Sequence, residues 1–196
     1  MNMIQRAGIV AVVAAVIVAG LYVFEPLFSA PVVDVGMLAT TSAKYSLSFE
    51  YPKDYFVIEH DGGTPERLSH TIMIVQDAQG NRDLLSGKIK NTDGLPTITM
   101  QMFQNNLDHY TTDTWVRSSK DSNFKTSPDG KLAEAGFTNG ESALQYRWSG
   151  LHEGITVVAA HPDWVYAFSV TYASSSDQII KDFAQILTTV QFTQSK

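Results

Sequence analysis

The stretch "WVYAFSVTYASSSDQIIKDFAQILTTVQF", Trp164 to Phe192, decides the fold. Its first nine residues alternate, with Trp164, Tyr166, Phe168, Val170 and Tyr172 on one side, which is the period of a strand with one buried face. After a serine-rich break the period changes to that of a helix. Ile179, Ile180, Phe183, Ile186 and Leu187 form one apolar stripe over Asp177 to Leu187. Ser175 is the candidate N-cap, with Gln178 at capping-box spacing. Thr189 to Phe192 reads as a short closing strand. An aromatic strand face and an apolar helix stripe of this kind cover each other.

Working back from this stretch, His161-Pro162-Asp163 is a turn, because proline presets it, and Ile155 to Ala160 is the strand before it. Asn139-Gly140 predicts a type I′ hairpin between Leu132–Thr138 and Glu141–Ser149. Leu107 to Lys120 reads as a short helix with Leu107, Tyr110, Trp115 and Val116 on one side. Leu95 to Gln104 is a strand with Ile98, Met100 and Met102 on one face, where filling a core is the usual use of methionine. Asp83 to Lys90 is read as a further strand. Thr71 to Gln76 is apolar on both faces and predicts a central strand. Near the start, Tyr45 to Tyr51 alternates and Pro52 ends it. Tyr55 to Glu59 follows, and "HDGGTP" reads as a loop. Consecutive hairpins plus amphipathic helices imply an α+β fold, an antiparallel sheet flanked by helices.

The 196 residues are 44% hydrophobic and 17% charged, a globular composition. Net charge is -6, and the densest positive spot is Lys88 with Lys90, so neither nucleic-acid binding nor a polybasic membrane tract is indicated. There is no cysteine, which excludes disulfides, thiol nucleophiles and a lipid-anchored cysteine. Residues 7–24, "AGIVAVVAAVIVAGLYVF", carry no charge and would form roughly 27 Å of helix, a bilayer span. With Arg6 before it and Glu25 after it, the positive-inside rule puts residues 1–6 in the cytoplasm and the rest outside, periplasmic or extracellular. A cleaved signal peptide is the rival reading. The length of the apolar run favours an uncleaved anchor, and both readings export residues 30 to 196. Residues 25–44 hold Pro26 and Pro31 without a period and read as a linker, so the exported domain is expected over 45–196.

At both ends of that domain the chain resembles the PsbP-like family, which shares its fold with the Ran-binding Mog proteins and several envelope lipoproteins. "YSLSFEYPKDYFV", Tyr45 to Val57, is similar to that family's first hairpin. Trp164 to Phe192 is similar to its last strand, terminal helix and final strand. The resemblance implies an α/β/α sandwich and a non-catalytic accessory or binding role. Photosynthetic members attach to a membrane-bound photosystem and Ran-binding ones to a small GTPase, so the resemblance names no partner here.

Direct searches for chemistry return little. The histidines are His60, His70, His109, His152 and His161, and no two have metal-ligand spacing. His152 and Glu153 are separated from His161 and Asp163 by a strand, roughly 25–30 Å. In Glu59-His60-Asp61 the imidazole faces away from both carboxylates. Ser86 in "LLSGK" lacks the first glycine of a nucleophile elbow. No catalytic, cofactor-binding or metal residue is assigned, and no cofactor is expected. The expectation is a membrane-tethered, non-catalytic domain that docks on an envelope protein. The alternatives are an exported hydrolase with a dispersed site and a small-ligand carrier using the aromatic sheet face.

Overall fold

In a computed structural model that describes residues 36–90 and 94–193, the strands are β1 (Met37–Ser42), β2 (Leu47–Pro52), β3 (Tyr55–Thr64), β4 (Arg67–Gln76), β5 (Ile98–Gln104), β6 (Ala133–Gly136), β7 (Ser142–Ser149), β8 (Glu153–Ala160), β9 (Trp164–Tyr172) and β10 (Gln191–Phe192). The helices are α1 (Gln79–Leu85), α2 (Thr112–Ser118) and α3 (Gln178–Thr189), with a 3₁₀ turn at Asn123–Thr126. The expected membrane segment, residues 7–24, lies outside the described residues. Among the described residues no helix is long and apolar enough to cross a membrane.

The strands make two antiparallel sheets. One has seven strands in the order β3-β4-β5-β9-β8-β7-β6, and the other has three in the order β1-β2-β10. The aromatic stripe of β9 behaves as its alternation requires. Tyr166, Phe168, Val170 and Tyr172 are buried in one cluster with Ile98, Met100 and Met102 of β5 and with Ile179, Phe183, Ile186 and Leu187 of α3. Leu47 and Phe49 of β2 join the same cluster, so α3 and the small sheet share one face of the large sheet. The opposite face buries Val158, Val165 and Ala167 beneath Trp115 and Val116 of α2. Each fully buried large side chain contributes about 1.5–3 kcal/mol relative to exposure, so these two clusters dominate stability.

Several expectations need correcting. Residues 37–42 lie in the stretch read as linker, yet they form β1 and pair along the whole of β2, from Met37↔Pro52 to Ser42↔Leu47. Their alternation is weak because β1 is an edge strand with no buried residue. "HDGGTP" is not a loop, since the ladder runs through Gly62 and Gly63 to Thr64↔Arg67, and only Pro65-Glu66 turns. A ladder needs backbone groups, not side chains, so glycines do not stop it. Asp83 to Lys90 is not a strand. Its first three residues end α1, which buries no residue and is held by the Gln79–Asp83 bond (2.8 Å) and the Arg82–Asp77 ion pair, and the rest is a turn tied back by Lys88–Asp83. Leu107 is exposed because α2 begins only at Thr112, where Thr111 and Thr114 cap each other. The Asn139-Gly140 turn is not type I′, since Gly140 takes positive φ (87°) and Asn139 does not. Phe137 is drawn into the core against Phe168 and Phe192, which widens the loop. Finally, α3 is preceded by Asp177 rather than capped by Ser175. The Asp177 carboxylate turns back to accept from the Ala173 and Ser174 amides.

Candidate functional site at one end of the sheet

The register places a row across the inner face of the large sheet. Asp61 pairs with His70, His70 with Met102, Met102 with Tyr166, and Tyr166 with Ala159. One step further toward the end of the sheet, Gln104 pairs with Trp164. The polar members of this row are at the β3–β4 side, and the turn between β1 and β2 covers them.

His70 is the centre of that cover. Its side chain is only 6% exposed, its Nδ1 is 2.6 Å from an Asp61 oxygen and its Nε2 is 3.3 Å from a Glu59 oxygen. Alternation puts Glu59 and Asp61 on one side of β3, and the hairpin brings His70 opposite them. The Tyr45 ring stacks on the imidazole at 4.2 Å, meets Trp164 edge-on at 5.1 Å, and donates its hydroxyl to Asp61 at 2.6 Å. Lys44 adds an ion pair to Asp61 at 3.5 Å. The Tyr45 hydroxyl and then the His70 ring hold the Asp61 carboxyl down at about 2. Burial, and then the bond to Asp61, push the Tyr45 phenol up. Because His70 meets its two carboxylates through opposite nitrogens, the three groups cannot converge on one ion. Among the described residues no group of three His, Asp or Glu could hold a metal. The arrangement fastens the β1–β2 turn to the β3–β4 hairpin.

A second polar clasp fixes the β8–β9 turn. Asn105 is 1% exposed. Its amide donates to the carbonyls of Tyr110 (3.0 Å) and His161 (2.9 Å), its side-chain oxygen accepts from the Tyr110 amide (2.7 Å), and its backbone N–H donates to Asp163 (2.8 Å). The His161 amide closes the turn onto the Trp164 carbonyl at 2.8 Å.

Between the two fastened turns lies a cleft of about 450 Å³. Ser46, Glu141, His161, Asp163, Trp164 and Phe192 line it. Phe192 packs on His161 (4.6 Å) and Tyr166 (4.8 Å), and the Tyr166 hydroxyl donates to the Tyr45 carbonyl at 2.9 Å. His161 Nε2 lies 3.7 Å from a Glu141 oxygen and has no hydrogen-bond partner among the described residues. Burial, and then the nearby Asp163 charge, keep the Tyr166 phenol protonated well beyond its ordinary range.

The residues singled out from sequence are placed as follows. His60 is exposed, and its neighbouring carboxylates, Glu59 and Asp61, face His70 instead. His152 and His161 sit at opposite ends of β8. His109 is exposed in a loop with φ 48°. Ser86 donates to the Asp83 carbonyl behind α1. The aromatic face of β9 and the methionine face of β5 are core. Neither His70 nor Asn105 was singled out. The count across the β3–β4 turn could have found His70, since Thr64 opposite Arg67 puts Asp61 opposite His70.

No protein-family model matches the chain. No curated protein matches it either. Among solved structures it is similar to the solution structure of the cyanobacterial PsbP of Synechocystis sp. PCC 6803, with a TM-score of 0.50 and 13% identity over 84% of this chain and 98% of that one. The fold is PsbP-like. At that identity the likeness concerns the fold alone. On this PsbP-like frame the two clasps and the cleft gather at the end of the large sheet where β9 begins.

Proposed function

We propose that the chain is a membrane-tethered, extracytoplasmic accessory domain that docks on an envelope protein and catalyses no reaction. The observation that carries this reading is the state of His70. The most enclosed imidazole of the molecule has a carboxylate at each nitrogen and an aromatic ring over its face. A general base needs one nitrogen open to a substrate proton. Here Nδ1 is bonded to Asp61, which also takes the Tyr45 hydroxyl of the β1–β2 turn. Nε2 is buried 3.3 Å from a Glu59 oxygen, without a hydrogen bond among the described residues, so neither nitrogen is open. The turn forms one wall of a shallow cleft. Holding recognition loops on a rigid sheet end suits docking. The uncharged run at residues 7–24 supports the tether, and the PsbP-like fold supports the accessory role.

Crosslinking in native membranes followed by mass spectrometry tests this. The expected result is one envelope protein recovered repeatedly with the full chain, and recovery of the chain alone overturns docking. Alkaline extraction of the same membranes should leave the chain in the pellet, and release into the supernatant overturns the tether.

A further inference from the structure

We propose that the cleft at the sheet end receives a basic side chain, arginine or lysine, presented by the docking partner. The proposal rests on the docking reading above and specifies its chemistry.

The walls and the rim point to one kind of guest. Trp164 and His161 from the β8–β9 turn and Phe192 from β10 give the cleft aromatic surface from two separate segments of the chain. Aromatic faces attract cations through the ring quadrupole, and arginine stacks on them best. Glu141 and Asp163 bring carboxylates to the same cleft from two different turns. Among the described residues the Asp163 carboxylate makes no hydrogen bond or ion pair, and the described lining includes no lysine or arginine. The lysine of the adjoining β1–β2 turn, Lys44, pairs with Asp61 and lies over the Tyr45 ring. A negatively charged guest would therefore meet uncompensated like charge, while a cation would gain charge-assisted bonds. A purely apolar guest would strip water from both carboxylates without replacing it. The unpartnered His161 Nε2 adds a polar contact, because with the ring proton on Nδ1 it accepts from a guest N–H.

The length of the guest is also indicated. Ser46, Phe192 and Thr193 form one wall, the Thr193 amide being bonded to the Ser46 carbonyl at 2.9 Å, while Asp163 and Trp164 come from the β8–β9 turn. A long stem can lie along Phe192 and Trp164 while its charged head reaches Glu141 and Asp163. Lysine and arginine bury their methylenes in this way. A cleft of about 450 Å³, open at the surface, has room for one such side chain carried on a protein.

The test uses the full chain in detergent micelles with ¹⁵N-labelled tryptophan. Trp115, Trp148 and Trp164 give three indole signals, and Trp164→Phe identifies the third. The probes are N-acetyl-arginine methylamide, N-acetyl-lysine methylamide, and the norleucine and glutamate analogues. The two basic probes should shift the Trp164 signal saturably, with a dissociation constant of about 1–10 mM. The norleucine and glutamate probes should leave it in place. Glu141→Gln and Asp163→Asn should each weaken the basic probes by about three- to tenfold, and the pair together should abolish binding. Unchanged Trp115 and Trp148 signals will show that these exposed substitutions leave the fold intact. An equal shift by norleucine, any saturable shift by glutamate, no shift by either basic probe, or undiminished binding in the double variant overturns the proposal. A crosslinked partner that persists in membranes when the probes fail moves docking to another surface and leaves the accessory reading standing. Probe binding without any partner would have the opposite meaning.

Discussion

At the scale of the residue, Asp61 is the sharpest case. It is exposed, yet two hydrogen bonds hold its pKa at about 2, below the ordinary carboxylate value of about 4. A carboxyl depressed in the folded state stabilises the fold above its unfolded pKa, and that contribution disappears as pH falls through the folded value. Stability should thus decline between about pH 4 and about pH 2 in part through this group. Urea unfolding of Asp61→Asn at a series of pH values should show a protein less stable than wild type at pH 7 and a shallower decline below pH 4. Equal slopes in the two proteins would remove Asp61 from the acid response. The same residue shows how far the sequence could be read. Alternation states correctly that His60 turns away from Glu59 and Asp61. It states with equal force that those two carboxylates share a side, but what lies between them depends on the partner strand. That information is in the turn at Pro65-Glu66, where two glycines disguise the end of a strand as a loop.

At the scale of the element, Asn105 joins two connections that share no secondary structure. It bonds twice to Tyr110 within the loop after β5 and twice to the turn between β8 and β9, at His161 and Asp163. Asn105→Ala removes the three made by the side chain and leaves the Tyr110 amide and the Tyr110 and His161 carbonyls without them, at a cost of about 2–4 kcal/mol. Chemical denaturation measures that loss. Binding of the arginine probe should weaken with it, because His161 and Asp163 depend on the turn's position. Elements with strong periods were legible, and β5, β8, β9 and α3 stand where their apolar spacing puts them. The misread segments had no buried stripe to betray them. β1 is an exposed edge, α1 is held by local polar bonds, and the far half of β3 carries glycine instead of alternating side chains. Asn105 had no signal at all, since a clasp between loops has neither period nor motif.

At the scale of the whole molecule, one buried polar bond joins the layers that hydrophobic packing brings together. The Tyr55 hydroxyl at the start of β3 donates to Asp182 of α3 at 2.6 Å, and Gln178 donates to the other Asp182 oxygen at 2.9 Å. Burial, and then that bond, push the Tyr55 phenol far above its ordinary range. Tyr55→Phe keeps the ring and deprives a buried carboxylate of a donor, so it should cost about 1–3 kcal/mol in a denaturant titration. A loss below about 0.5 kcal/mol would mean that water replaces the hydroxyl. The antiparallel pairing of β1 with β2 also puts the entry of the chain and the cleft at opposite ends of one hairpin. The chain joins the domain at Met37, beside Pro52, whereas Ser46 and the cleft lie past the other end of the same hairpin. Five steps of strand separate the two, about 17 Å. Under the proposed tether, the pull of the membrane segment enters at one end of the hairpin and the receptive end is the other. A tether attached before Met37 therefore need not cross the cleft, and a guest can enter it without displacing the segment that carries the domain.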